Sequence, residues 1–176
     1  MKNIRSYMEI SPEIHDSAYV DDSAVIIGKV FIAENASIWC NSVARGDVSY
    51  IKIGKNTNVQ DLTMLHVTHS NPGRTKETPL IIGDNVTIGH SCCLHACTLA
   101  DNVFIGMGTT ILDNVYIESN VMVGAGSLVP QGKRLESGYL YFGNPVKQIR
   151  KLSESEIEHI AYSAQHYVKI AKSHKQ

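Results

Sequence analysis

The sequence predicts an all-β solenoid, a left-handed parallel β-helix over residues 1–151 with a short N-terminal lead-in, followed by one C-terminal α-helix over 152–176 that packs on the coil within the same domain. Three observations predict it. Aliphatic residues recur every six positions over most of the chain, a spacing that fits neither the 3.6 of a helix nor the 2.0 of a long strand. Small residues commonly sit four places after each aliphatic, and glycine often follows it directly. After Lys151 the period becomes helical.

The repeat begins with Ile14, Val20, Ile26, Ile32, Ile38 and Ala44, continues as Ile53, Val59 and Leu65, and then as Ile82, Ile88 and Leu94. After one five-residue step, Leu99, Ile105, Ile111, Ile117, Val123 and Val129 complete it. Very short strands separated by corners produce this spacing, and three hexads per turn build a triangular coil with every aliphatic aimed at the axis. A narrow prism holds one branched and one small residue per face, which accounts for the Ala, Ser, Thr or Val four positions on. Gly54, Gly83, Gly89, Gly106 and Gly124 are expected at corners that demand tight or positive φ angles. Asn85, Asn102, Asn114 and Asn120, in DNV and SNV tripeptides, are expected to be left-handed at bends. Six turns at ~4.8 Å per strand give a prism about 29 Å tall. Two excursions interrupt the count, three extra residues at 50–52 and a loop at 70–79 rich in Asn, Pro and Gly. Beyond Lys151, Leu152, Ile157, Ile160, Ala161, Ala164 and Val168 form an apolar helical stripe, and Ser153 with Glu156 forms a capping box.

The 176 residues suit one domain, with 43% apolar residues to fill a single core. Sixteen basic and 17 acidic residues are interspersed, so no basic face is available for nucleic acid or an anionic membrane. Neither a secretory signal nor a run of ~20 apolar residues is present, and the expected location is the cytoplasm. Cys40, Cys92, Cys93 and Cys97 make no C-x-x-C pair and read as small packing residues in a reducing compartment.

The coil arithmetic places Arg45, His66 and His95 in one column on the third face, each directly after an inward aliphatic and therefore pointing outward. His66 and His95 fall on neighbouring strands, ~4.8 Å apart, close enough to chelate. His90, on the second face, is too far along the chain to join them within one subunit. In a homotrimer, the second face of one subunit meets the third face of the next and brings His90 to His66 and His95, so the metal site lies at the subunit interface. Three histidines with an open fourth position match a catalytic zinc site, in which the ion lowers the pKa of its water to ~7. Gln60 and Asp61, on the same face as His90, are placed to orient that nucleophile.

The motifs ARGD at 44–47, NVQD at 58–61, His66 and GHSCCLH at 89–95 resemble the γ-class carbonic anhydrases over essentially the whole chain. The stretch 128–150 further resembles a bacterial, carbonic-anhydrase-like branch of hexapeptide-repeat proteins. The resemblance implies reversible hydration of carbon dioxide to bicarbonate. His66, His90 and His95 would ligate zinc, or iron or cobalt. Gln60 and Asp61 would orient hydroxide and carbon dioxide, Arg45 and Asp47 would form an interface ion pair, and Asn58 would join them as an interface or structural residue. Two features depart from the family pattern. Val48 stands where active members carry Glu, and the acidic loop with a proton-shuttling Glu is missing, which implies slow or buffer-dependent turnover. His69 and Glu77 are substitute shuttles. Tyr139 and Tyr141, in YLYF, read mainly as packing, with a neighbouring site as their alternative. Other readings are a coenzyme A-dependent acyltransferase, for which GNPVK at 143–147 resembles a characteristic turn, a metal-dependent thioesterase acting on a small acyl thioester, and a non-catalytic trimeric assembly protein.

Overall fold

A computed structural model describes residues 3–70, 72–73 and 77–175. The chain winds as a parallel β-solenoid with three stacks of short strands. Seven parallel strands stack on the second face, from Tyr19–Val20 to Tyr139–Gly143, and the antiparallel strand Val146–Lys151 closes that stack. The first and third faces form one sheet, joined by Val25–Ile32 and Val43–Ile53, which run through a corner without breaking. The coil is therefore one turn longer than the expected six, because Leu135 and Tyr141 continue the inward columns beyond Val129. Six intervals of ~4.8 Å separate the first strand of a stack from the last, about 29 Å in all.

The inward columns are as the repeat requires. Ile26, Ile38, Leu65, Ile88, Leu94, Ile105, Ile111 and Val123 are completely buried. The residues four places on, among them Ala24, Ala36, Thr57, Val86, Thr109 and Ser127, are buried beside them. Several of these hydroxyls find backbone acceptors in the next coil: Ser42 Oγ donates to Gln60 O at 2.8 Å and Thr57 Oγ1 to Gly83 O at 2.7 Å. Such pairing removes the cost of burying a polar group.

Asn85, Asn102, Asn114 and Asn120 adopt φ of 56–59°, as the tripeptides predict. The glycines after the aliphatic residues serve another purpose than expected. Their φ angles are not positive; a Cβ on Gly106 would run into the backbone of Ala125, and one on Gly54 into the backbone of Gly83. Close approach of successive coils selects glycine there. The excess residues of the first excursion also lie earlier than expected. Gly28 pairs with Gly46 and Val30 with Ile51, so the extra length is a bulge over 47–50 opposite Lys29. The second excursion is closed at its base by a bridge between Thr68 and Thr78, and its positions 71 and 74–76 lie outside the described residues.

The helix Glu154–His174 starts at Ser153, whose side chain accepts from Glu156 N while the Glu156 side chain accepts from Ser153 N, completing the box. It runs back along the coil. Leu152 N is bonded to Gly138 O near the last turn, and Lys175 Nζ donates to Asp16 O and Ala18 O near the first. Ile160, Ala164, Val168 and Ala171 are its buried stripe, with Ile157 and Ala161 left exposed. It lies over the second face, where Ser163 Oγ meets Thr87 Oγ1 at 3.0 Å and Tyr167 packs edge-on against Trp39. No helix among the described residues is long and apolar enough to cross a membrane.

Candidate metal centre

Three strands in register create the histidine column. Arg45 lies opposite His66, and His66 opposite His95. The preceding residues Ala44, Leu65 and Leu94 fill the core, so strand alternation sends the next side chain outward. The two imidazoles sit with ring centroids 5.1 Å apart, and His66 Nδ1 is 3.1 Å from His95 Nε2.

Each ring is gripped from the other side by a carboxylate. His66 Nε2 lies 3.1 Å from Asp47 Oδ1, and Asp47 is ion-paired with Arg45. His95 Nδ1 lies 2.5 Å from Asp113 Oδ1, and Thr68 Oγ1 donates to Asp113 Oδ2 at 2.7 Å. An ionised carboxylate only accepts, so the protons of neutral rings belong on those outer nitrogens. His66 Nδ1 and His95 Nε2 are then bare, and their lone pairs face one another. A pair of inward lone pairs backed by carboxylates suits a borderline-soft cation such as zinc. The electrostatics agree. Burial lowers the His66 pKa, with the Asp47 hydrogen bond opposing it and the charges of Arg45 and His95 adding to it. For Asp47, burial pushes the pKa upward, but hydrogen bonds from Arg45 and His66 together hold it below the ordinary carboxylate value.

His90 is placed elsewhere. It stacks beside Asp61 on the second face, with Nδ1 2.7 Å from Asp61 Oδ2 and nearly half of its side chain exposed. Its hydrogen bond is to Asp61 and not to the His66–His95 pair, and Asp61 therefore orients an imidazole in this chain. Among the described residues, no group of three or more His, Cys, Asp or Glu side chains in one chain is arranged to hold a metal. Gln60 is buried, its Nε2 donating to Asn58 Oδ1 at 3.1 Å. Asn58 itself is completely buried, donating to Thr87 Oγ1 at 3.0 Å. The helix on the second face is what encloses it.

His69 and Glu77 are exposed and flank the Thr68–Thr78 bridge, next to the side chain that supports Asp113. Tyr139 is partly buried against the core. Tyr141 points into the coil, and its hydroxyl is spent between Glu136 N at 2.8 Å and Gln148 Oε1 at 3.0 Å. Within this chain it packs in the core. All four cysteines are free thiols; Cys92 and Cys97 are buried and Cys40 and Cys93 partly so, and burial raises Cys92 to about 11.

Asp113 and Thr68 join the candidate site without any signal in the sequence reading. Asp113 belongs to a DNV tripeptide and reads as a turn residue. The column arithmetic one strand past His95 lands on Leu112, and Asp113 is the corner residue after it, so no register count points to it.

A family profile described as bacterial transferase hexapeptide (six repeats) matches residues 96–131. Protein YrdA of Escherichia coli K12 is 52% identical over 94% of this chain and 90% of its own length. Gamma carbonic anhydrase 2, mitochondrial, of Arabidopsis thaliana is 44% identical over 98% of this chain, which spans 62% of the plant protein. A carbonic anhydrase of Geobacillus kaustophilus is 40% identical over 98% of this chain and 91% of its own. Among solved structures, a hexapeptide transferase family protein from Anaplasma phagocytophilum superposes with a TM-score of 0.90 and 41% identity, each chain covered to 98%.

Proposed function

The chain belongs to the γ-class carbonic anhydrase family, and from that premise we propose that it is a homotrimeric, metal-dependent enzyme of the cytoplasm that hydrates carbon dioxide reversibly to bicarbonate. The observation that carries this reading is the His66–His95 pair, with its bare nitrogens facing each other and its outer nitrogens tied to Asp47 and Asp113. His90 of a neighbouring subunit completes the ligand set. Zinc, or iron or cobalt in its place, would supply Lewis acidity enough to bring the pKa of a water to ~7.

The chain's own groups do the rest. Asp47 fixes the tautomer and direction of His66. Asp61 holds His90 through Nδ1, which leaves Nε2 as its ligating nitrogen. Gln60, anchored by Asn58, presents its remaining amide atoms at a fixed position and serves to orient substrate. Arg45 keeps Asp47 ionised and in place. Val48 provides no proton acceptor, so protons leave by His69 and Glu77 at the loop base or directly to buffer, and turnover should rise with buffer concentration.

Stopped-flow hydration of carbon dioxide by anaerobically purified, metal-quantified protein tests the reading, run beside a panel of acyl thioesters. His90→Ala should leave the trimer intact and abolish hydration. A variant that dissociates while the wild type shows no activity would instead indicate an assembly protein whose metal only ties subunits together. Acyl transfer is the second reading, favoured by the transferase names of the matching profile and of the Anaplasma structure. A metal-free trimer with affinity for acetyl-coenzyme A would establish it.

A further inference from the structure

We propose that Asp113 and Thr68 form a positioning pair that sets the tautomer and direction of His95, and that the pair anchors this ligand to the base of the 70–79 excursion; the inference rests on the metal reading of the His66–His95 pair.

Three contacts converge. His95 Nδ1 is 2.5 Å from one oxygen of Asp113, Thr68 Oγ1 donates to the other at 2.7 Å, and Thr68 Oγ1 is 3.4 Å from the same imidazole nitrogen. The Asp113 side chain is 18% exposed, so its hydrogen bonds are shielded from competing water. Neither residue is adjacent to His95 in sequence. Thr68 comes from the end of the strand below and Asp113 from the corner above, so the carboxylate and hydroxyl bracket the ring from both neighbouring coils. Thr68 is itself fixed, because it exchanges two backbone hydrogen bonds with Thr78, of 3.1 and 2.9 Å, where the excursion leaves the coil and returns. His66 is held by a different device, an Asp paired with an Arg. The two ligands of one subunit are thus oriented by independent supports, one from the Asp47 bulge and one from the excursion.

The test titrates Co(II) into metal-free, full-length protein under a competing chelator and reads both affinity and the visible d–d spectrum, while long-range ¹⁵N NMR reports the His95 tautomer before any metal is added. Asp113→Ala should weaken Co(II) about 10–100-fold, alter the d–d band and turn a fixed Nδ1–H tautomer into a mixture. Asp113→Asn, whose carbonyl still accepts from Nδ1–H, should recover part of the affinity, and Thr68→Val should lose less than Asp113→Ala. Wild-type affinity, band and tautomer in Asp113→Ala would overturn the inference, as would a drop in melting temperature alone, which is all that a turn residue would give. Should Asp113→Ala fail to fold, Asp113→Asn and Thr68→Val decide by the same measurements. Wild-type protein that binds no Co(II) would sink the metal reading and this inference with it, whereas metal-binding wild type with indifferent variants sinks only this inference.

Discussion

The second and third faces of the coil share one inward pattern and differ wholly outside. Ile88 and Leu94, six residues apart, occupy equivalent inward positions and are both completely buried. Outside Ile88, the helix covers Asn58 and Thr87, while His90 and Asp61 farther along the same face stay partly exposed. Outside Leu94, the same alternation presents His66 and His95, with Met64 39% and Leu112 37% exposed around them. The repeat constrains only what points to the axis, because only that side must fit a fixed interior. The outward positions are free of that constraint, so one face carries a helix beside His90 and Asp61 and the other carries the His66–His95 pair.

The largest effect should follow from charging the third face. Met64→Lys with Leu112→Lys is expected to break the proposed trimer into monomers, read by analytical ultracentrifugation, whereas Ser163→Lys on the helix-covered face should lower stability instead. Removing an inward residue should cost the same on either face. Leu94→Ala and Ile88→Ala should each lose about 2–5 kcal/mol in urea unfolding of metal-free protein, and unequal losses would show that the helix or the trimer shares in the core.

A pH series sharpens the contrast further. The folded-state pKa of His66 is lowered by burial, so its neutral form is favoured on folding. Its contribution to stability is full above the unfolded value of ~6.5 and falls as pH drops through the folded value. Metal-free protein should therefore weaken on acidification below about pH 6.5, and His66→Gln should flatten that part of the profile. Asp47, lowered by its hydrogen bonds, acts at much lower pH: its contribution holds above its unfolded carboxylate value and is lost as pH falls through the folded one. The smallest effect belongs to the helix cap, where Ser153→Ala should cost about 1 kcal/mol, seen as a small fall in melting temperature.

Much of this architecture is legible in the residues. The hexad spacing forecasts the stacked strands, and the column arithmetic brings His66 beside His95. The Asn residues mark left-handed corners, and Ser153 with Glu156 marks the helix start. Other features are not legible. The glycines after the aliphatics suggest conformational freedom in the sequence, but those at Gly54 and Gly106 answer to backbone in the next coil, a contact invisible in a linear pattern. Asn58 carries a motif position yet lies beneath the helix, and Tyr141 looks available but is a core residue. Asp113 is disguised as a turn because its partner is 18 residues away.

By itself the sequence determined which side chains face inward, how the strands stack and which imidazoles share a column, since a period is a local property that survives being written as a line. Only the tertiary structure decided which nitrogen of each ring is left bare, which carboxylates hold the rings and which face the helix covers. Those outcomes depend on hydrogen-bond direction and steric access between residues from different coils, and no spacing along the chain encodes them.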